Sequence, residues 1–111
     1  MNAESRIDLL QGTLDLLILR ALQAAPQHGW AISERIQQVS GNVLQVNQGS
    51  LYPALHRLEH QGWIAAAWGV SELGRRARFY RLTPSGRKKL EAERQNWERF
   101  TVAMSRVLEM A

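Results

Sequence analysis

Three features of this 111-residue sequence predict a mainly helical α+β fold. Apolar residues recur at helical spacing in three successive segments up to Gly62. Two segments rich in aromatic and β-branched residues follow, joined by a glycine-containing turn crowded with arginine. A long helical stretch then runs from Pro84 to the C-terminus. Three helices followed by a β-hairpin is the winged helix-turn-helix arrangement, with the third helix as reader and the hairpin as wing. The length suits one domain with one modest core. Residues 1–83 are expected to form the winged-helix part and residues 84–111 a closing helix, within one compact unit.

The first helix is read from LDLLILRALQAA, which follows Gly12 and Thr13. Leu14, Leu17, Ile18, Ala21 and Leu22 fall on one of its faces. Pro26 and Gly29 mark a turn. WAISERIQQVSG supplies the second helix, with Ile32, Ile36 and Val39 on one face and Gly41 and Asn42 at its end. VLQV, residues 43–46, is short and alternating, a minimal strand. The third helix is read from QGSLYPALHRLEHQGWI, residues 48–64. Leu51, Leu55 and Leu58 share a face with Gly62, which marks its end. Asn47 is its N-cap, or Ser50 is if the regular helix starts late. Pro53 places the helix start close upstream, because the first amides of a helix have no internal partner and a residue without an amide proton costs little there.

WIAAAWGV and RFYRLT read as strands, and SELGRRA joins them with Gly74 in the turn. Thr83 and Pro84 make an N-cap and first-position pair for the last helix. Along it Leu90, Trp97, Phe100, Met104 and Val107 lie near heptad a and d positions, with Glu93 interrupting the series. Trp30, Trp63 and Trp68 are most simply core or hairpin residues.

Apolar residues make up 45% and charged residues 22%, an ordinary composition for a globular domain in water. There is no apolar run of the roughly 18 residues that a membrane span needs. MNAESRIDLL lacks a basic segment followed by an apolar one, so no secretory signal is expected. The absence of cysteine excludes disulfides, thiol catalysis and cysteine-held zinc, and fits a reducing cytoplasm. The order of residues 1–8 is not legible. The net charge of +4 is unevenly spread. Residues 1–46 hold three basic and four acidic side chains, residues 47–89 eight and two, and residues 90–111 three and four. A basic block concentrated inside a folded domain points to a polyanion partner, against the bland alternative of a solvated basic face.

Three blocks make the chain similar to the PadR-like transcriptional regulators. GTLDLLILRAL (12–22) with HGWAI (28–32) resembles the family's first two helices. QGSLYPALHRLEHQGWI resembles its third, with the pattern Leu-Tyr-Pro-x-Leu-x-Arg-Leu-Glu-x-x-Gly. GRRARFYRLTPSGRKKL (74–90) resembles its wing and the start of its C-terminal helix. Together they cover nearly the whole chain in the expected order. The resemblance implies a dimeric DNA-binding regulator, most often a repressor, of the short type with a single C-terminal helix supplying the dimer contact. It implies double-stranded DNA and a second copy of the chain as partners, with phenolic acids or drugs as effectors of some members. No cofactor is expected.

A recognition helix reads bases from its N-terminal side in the major groove. Over residues 48–61 the candidates are Gln48, Gly49, Ser50, Tyr52 and Pro53, with His56 and Arg57 further along. The Gln48 amide suits an adenine edge, and the Ser50 and Tyr52 hydroxyls suit base or phosphate. Leu51 and Leu55 take the core face, which leaves Tyr52 pointing elsewhere; packing on the helix flank is its alternative. Arg57 either reaches DNA or pairs with Glu59 or the protein's own surface. In the wing, residues 70–80, Arg75, Arg76 and Arg78 suit phosphates or a narrow minor groove. Arg87, Lys88 and Lys89 oppose the dipole of the last helix, either for long-range attraction to DNA or as plain surface. The dimer face is expected from Leu90, Trp97, Phe100, Met104, Val107 and Leu108, unless that stripe packs back on its own domain. Trp97 is a candidate wall for a flat aromatic effector at that interface.

HRLEH also fits the H-x-x-E-H zinc-hydrolase motif. His56 and His60, four apart on a helix, can meet one metal. A catalytic zinc needs a third protein ligand and a general base, and only 51 residues follow His60. Helix-surface histidines, no metal and no enzyme activity are expected, and His28 receives no role. The competing class is a winged-helix protein-interaction module that does not read DNA, against which the charge over residues 47–89 argues.

Overall fold

The computed structural model describes residues 7–8 and 11–111 of the chain. Residues 1–6, part of the stretch whose order the sequence left open, lie outside the described residues. Strand β1 (Ile7–Asp8) is followed by helix α1 (Gln11–Ala24), strand β2 (Gln27–His28), helix α2 (Gly29–Val39), strand β3 (Leu44–Gln45), helix α3 (Gln48–His60), strands β4 (Ile64–Val70) and β5 (Arg76–Leu82), and helix α4 (Pro84–Leu108). This is the mainly helical α+β winged-helix order that the sequence predicts.

Helix α1 packs against α2, α3, α4 and β5. Leu14, Ile18, Leu19 and Leu22 are buried, and Leu16, Leu17 and Ala21 are partly so. The expected single stripe is widened by Leu19, because a helix with neighbours on several sides buries more than one face. From α2 come Ile32, Ile36 and one polar residue, Ser33. The Ser33 hydroxyl donates to the Trp30 carbonyl at 2.9 Å. Val39, expected on the same face, is 72% exposed. It is the last residue of α2, where the helix runs past the edge of the core. Gly41 and Asn42 follow with φ of 62° and 65° and end the helix as expected.

Strand β3 pairs in parallel with β1, Ile7 beside Leu44. Strand β2 adds a third member to the hairpin sheet, in the order β2-β5-β4. Gln27 lies opposite Tyr80 and His28 opposite Phe79. The sequence predicts only a turn there, since a two-residue strand has no periodicity and owes its pairing to β5, far along the chain. Gln27 also closes α1, its Nε2 donating at 2.8 Å to the Ala21 carbonyl near the helix end.

Strands β4 and β5 pair from Ile64 opposite Leu82 to Val70 opposite Arg76. Ile64, Ala66, Trp68 and Val70 therefore share a face with Leu82, Tyr80, Arg78 and Arg76. Ile64, Tyr80 and Leu82 at the base are buried, whereas Trp68 and Val70 at the tip are exposed. The face begins in the core and ends in solvent.

Helix α4 is clamped at its start. The Thr83 hydroxyl accepts from the Gly86 amide at 3.0 Å and donates to the Gly62 carbonyl at 2.7 Å, while the Thr83 amide donates to the Trp63 carbonyl at 3.1 Å. Leu90 is 2% exposed and belongs to the monomer's own core. That corrects its expected place on a dimer face: it lies within two turns of the clamp, still over the body of the fold. Beyond it every residue except Glu93 and Thr101 is exposed.

Gly86 permits this close seating. A Cβ there would meet the Trp63 carbonyl group, with its carbon 2.9 Å away, and stand 2.8 Å from Leu82 Cδ1. Gly86→Ala is expected to lower stability by about 3 kcal/mol, as overpacked core positions do, read as a fall in the urea midpoint. An unchanged midpoint would show that α4 is not seated against Trp63.

Candidate nucleic-acid interface

Helix α3 is oriented by what it buries. Leu51, Ala54, Leu55 and Leu58 are all 0–1% exposed. With that face fixed, Gln48, Gly49, Ser50, Tyr52, Pro53 and His56 are exposed. Asn47, and not Ser50, is the N-cap. Its Oδ1 accepts from the Gly49 amide at 2.7 Å, and its carbonyl accepts from the Ser50 and Leu51 amides at 3.0 and 2.9 Å. Pro53 is inside the helix, five residues beyond its first residue Gln48 and so deeper than the first turn. The proline denies an amide to the Gly49 carbonyl. Gly49 is exposed, so water can supply the missing donor.

The exposed side chains are partly braced from within. Gln48 Nε2 donates to the Ser33 hydroxyl at 3.4 Å. Tyr52 is 51% exposed, yet its ring lies against the first residue of α2. A Cβ on Gly29 would stand 3.1 Å from Tyr52 Cε1 and 3.2 Å from its hydroxyl oxygen. Arg57 donates to Asp15 at 2.9 Å and joins α3 to α1. Its partner is thus Asp15 and not Glu59. Arg78 donates to Glu59 at 2.9 Å and joins the wing to α3. Such part-exposed pairs contribute at most about 1 kcal/mol each. Their main consequence is geometric, since they bracket the helix on two sides.

The wing turn is closed by the Ser71 amide donating to the Arg75 carbonyl at 2.8 Å, with Gly74 at φ 76°. Arg75 and Arg76 are exposed. The Arg76 guanidinium lies 4.5 Å over the ring of Trp68, a cation–π contact. Trp68 is 61% exposed, so it is a hairpin residue serving as a platform. A register placing Val70 opposite Arg76 would have shown Trp68 and Arg76 as diagonal neighbours on one face.

His28, given no role by the sequence, caps α2: its Nδ1 accepts from the Ala31 amide at 3.2 Å. Its Nε2 lies 3.5 Å from Glu72 in the wing turn, and its ring stacks on Phe79 at 5.4 Å. Glu72 is held below the usual carboxylate range, first by a backbone amide and further by His28. Trp30 is exposed, whereas Trp63 packs against the core beneath Lys89 Nζ at 4.6 Å. Lys89 also pairs with Glu93 at 2.8 Å.

His56 and His60 are both exposed on α3. Among the described residues no group of three or more His, Cys, Asp or Glu is placed to hold a metal. No helix of the described residues is long and apolar enough to cross a membrane. On α4, Trp97, Phe100, Met104, Val107 and Leu108 are 44–77% exposed, with the Trp97 and Phe100 rings 5.8 Å apart. A groove of about 290 Å³ beside them is lined by Thr13, Leu16, Glu93 and Asn96 among others.

The chain matches the model of the transcriptional regulator PadR-like family over residues 18–92. It is 32% identical over 92 residues to uncharacterized protein X of Lysinibacillus sphaericus, covering 83% of this chain and 84% of the relative. It is 42% identical over 62 residues to Transcriptional regulator Rv3488 of Mycobacterium tuberculosis, covering 56% of this chain and 57% of that one. Among solved structures, a transcriptional regulator from Clostridium thermocellum superposes with a TM-score of 0.79 at 29% identity, over 86% of this chain and 93% of the other.

Asp15, which anchors Arg57, has its pKa raised above the ordinary 3.8. Burial is the largest cause; it outweighs the pull of Arg57, with Glu93 adding to the rise and Lys89 opposing it. A carboxyl raised in the folded state contributes stability that is complete below its unfolded pKa and is lost as pH rises through its folded pKa. Asp15→Asn is therefore expected to flatten the stability–pH curve in the window just above 3.8, measured by urea midpoints. A slope equal to wild type there would show that Asp15 is not the titrating group.

Proposed function

The chain belongs to the PadR-like family of DNA-binding transcriptional regulators, and we propose that it acts as a homodimeric repressor on a pseudo-palindromic operator. The carrying observation is the exposed start of α3, on a helix whose last turn the Arg78–Glu59 pair joins to a wing that presents Arg75 and Arg76. Gln48, Ser50 and Tyr52 are assigned to base edges or phosphates in the major groove. Gly49 and Pro53, with no long side chains, allow close approach, and His56 extends the same face. Arg75 and Arg76 grip phosphates of the flank. Arg57, held by Asp15, acts first by fixing α3 against α1, and Arg78, held by Glu59, by fixing the wing against α3, with their remaining donors turned to phosphate.

Residues 1–83 are the reading part and residues 84–111 the joining part of this scheme. The exposed stripe of Trp97, Phe100, Met104, Val107 and Leu108 is covered by a second copy, since a large apolar stripe on one helix calls for a partner surface. The groove beside Trp97 is the place assigned to a flat aromatic effector, which would act by changing the separation of the two readers. Repression is by occlusion of a promoter in the cytoplasm, and no catalytic step is assigned to any residue.

Selection of bound duplexes from a random pool is expected to enrich a two-fold symmetric motif, its half-sites spaced about 34–36 Å or a multiple of that. Absence of enrichment, with weak binding even at low salt, would favour a protein-interaction module. Arg75→Ala/Arg76→Ala is expected to reduce the slope of log affinity against log salt by about two while the fold is retained. A wild-type slope would remove the wing from the interface. Trp97→Ala/Met104→Ala is expected to raise the dimer dissociation constant about a hundredfold in sedimentation. An unchanged dimer would place the contact elsewhere.

A further inference from the structure

Gly29 opens α2, yet nothing in its backbone calls for glycine. Its φ lies outside the left-handed region that Gly41, Gly62 and Gly74 occupy, and glycine is a poor helix former. What sets the position apart is what a side chain there would meet. A Cβ would stand 3.1 Å from Tyr52 Cε1, 3.3 Å from Cζ and 3.2 Å from the hydroxyl oxygen. Carbon atoms in ordinary contact lie about 3.5–4.0 Å apart, so the ring would have to give way. Gly29 is buried, whereas the part of Tyr52 that does not face it is open to solvent.

The neighbours of Gly29 hold this seat in place. His28 pairs with Phe79 of β5, stacks on its ring at 5.4 Å and caps α2 through Nδ1. Its Nε2 lies 3.5 Å from Glu72 in the wing turn, so the residue before the seat also touches the wing. One turn further along α2, buried Ser33 accepts from Gln48 Nε2 at 3.4 Å. Gly29 and Ser33 are four apart on α2, as Tyr52 and Gln48 are on α3. One face of α2 therefore meets one face of α3 at two successive levels.

We propose that Gly29 is a positioning residue for DNA recognition: its missing side chain lets the Tyr52 ring lie on the start of α2, which holds the phenol hydroxyl at one place beside the reading face. An aromatic side chain free on a helix surface samples more than one rotamer. Packing against Gly29 removes that freedom before DNA arrives, so less is lost on binding. A Cβ at this position keeps the helix and displaces the ring. The role rests on the DNA contact proposed for Tyr52, whereas the seat itself does not.

The test is a double-mutant cycle of Gly29→Ala with Tyr52→Ala on the full chain, bound to the duplex recovered by selection from the random pool. It is paired with NMR spectra of the tyrosine rings taken without DNA. The chain has two tyrosines, and Tyr52→Ala assigns their signals. Gly29→Ala is expected to move the Tyr52 ring signals while the amide spectrum away from the α2–α3 contact is retained. It is expected to weaken operator binding about tenfold, but by less than about twofold when Tyr52 is already alanine. Unmoved ring signals would overturn the seat. Wild-type affinity in Gly29→Ala, or the same loss with and without Tyr52, would overturn the positioning role. A selection that recovers no duplex, or Tyr52→Ala binding as tightly as wild type, would remove the contact on which the role depends and the role with it. The ring signals, read without DNA, tell that failure from a missing seat.

Discussion

Leu51, Ala54, Leu55 and Leu58 are almost wholly removed from water, and their burial sets the rotation of α3. Each buried leucine contributes about 1.5–3 kcal/mol. Successive residues on a helix are separated by about 100°, so a slip of one residue would lift several of these side chains out of the core. No pair of surface charges competes with that. The rotation that hides the leucines is the one that turns Gln48, Ser50 and Tyr52 outward, so the exposed face of α3 is set by residues buried in the core. The ion pairs Arg57–Asp15 and Arg78–Glu59 act at a finer level. They are too weak to choose the rotation, but they can bias the tilt of α3 against α1 and of the wing against α3. Being part-exposed, they are also open to salt, so these tilts are more adjustable than the core beneath them.

The same carboxylate reaches a third element. Asp15 feels Glu93 and Lys89 of α4 as well as Arg57 of α3. Lys89 is itself held by Glu93 and by the face of Trp63. The root of α4 and the last turn of α3 therefore come together near one half-buried carboxyl on α1. Gly86 and Leu90 fix that root, and past Leu90 the helix leaves the body. Helix α1 thus packs against both α4 and α3 and links the two.

Local signals in the sequence carried much of the fold. Asn47, Gly41 with Asn42, Gly74, and Thr83 with Pro84 each announce a cap or turn through the chemistry of one or two residues, and each is found where expected. The exposed start of α3 and the wing arginines were legible for the same reason. What was not legible depends on distant partners. Strand β2 exists only because β5 lies beside it. Arg57 and Asp15 are 42 residues apart, and nothing local to either predicts the pair. Leu90 repeats in register with Trp97, yet one is buried at the anchor and the other exposed beyond it, a difference of position over the body and not of periodicity. Pro53 was read as lying near the start of a helix capped by Asn47, and α3 does begin at Gln48; the proline is tolerated five residues in because an exposed Gly49 carbonyl can take water in place of the lost amide.

Charge shows how structure refines a sequence count. Eight basic residues lie between 47 and 89 against two acidic ones, which suggests a uniformly positive block. Three of the eight, Arg57, Arg78 and Lys89, are paired with Asp15, Glu59 and Glu93, and two of those carboxylates come from outside the block. The acid within the wing turn, Glu72, lies close to His28, the cap of α2. Arg75 and Arg76 are not paired with a carboxylate among the described residues, and Trp68 holds the Arg76 guanidinium in place. A positioned guanidinium loses less freedom when it meets a phosphate than a loose one does. The surplus charge is therefore sharpest at the tip of the wing, on the end of a sheet face whose other end is sealed into the core by Ile64, Tyr80 and Leu82. That continuity joins the wing tip, through one sheet face, to the same leucine-lined core that orients α3.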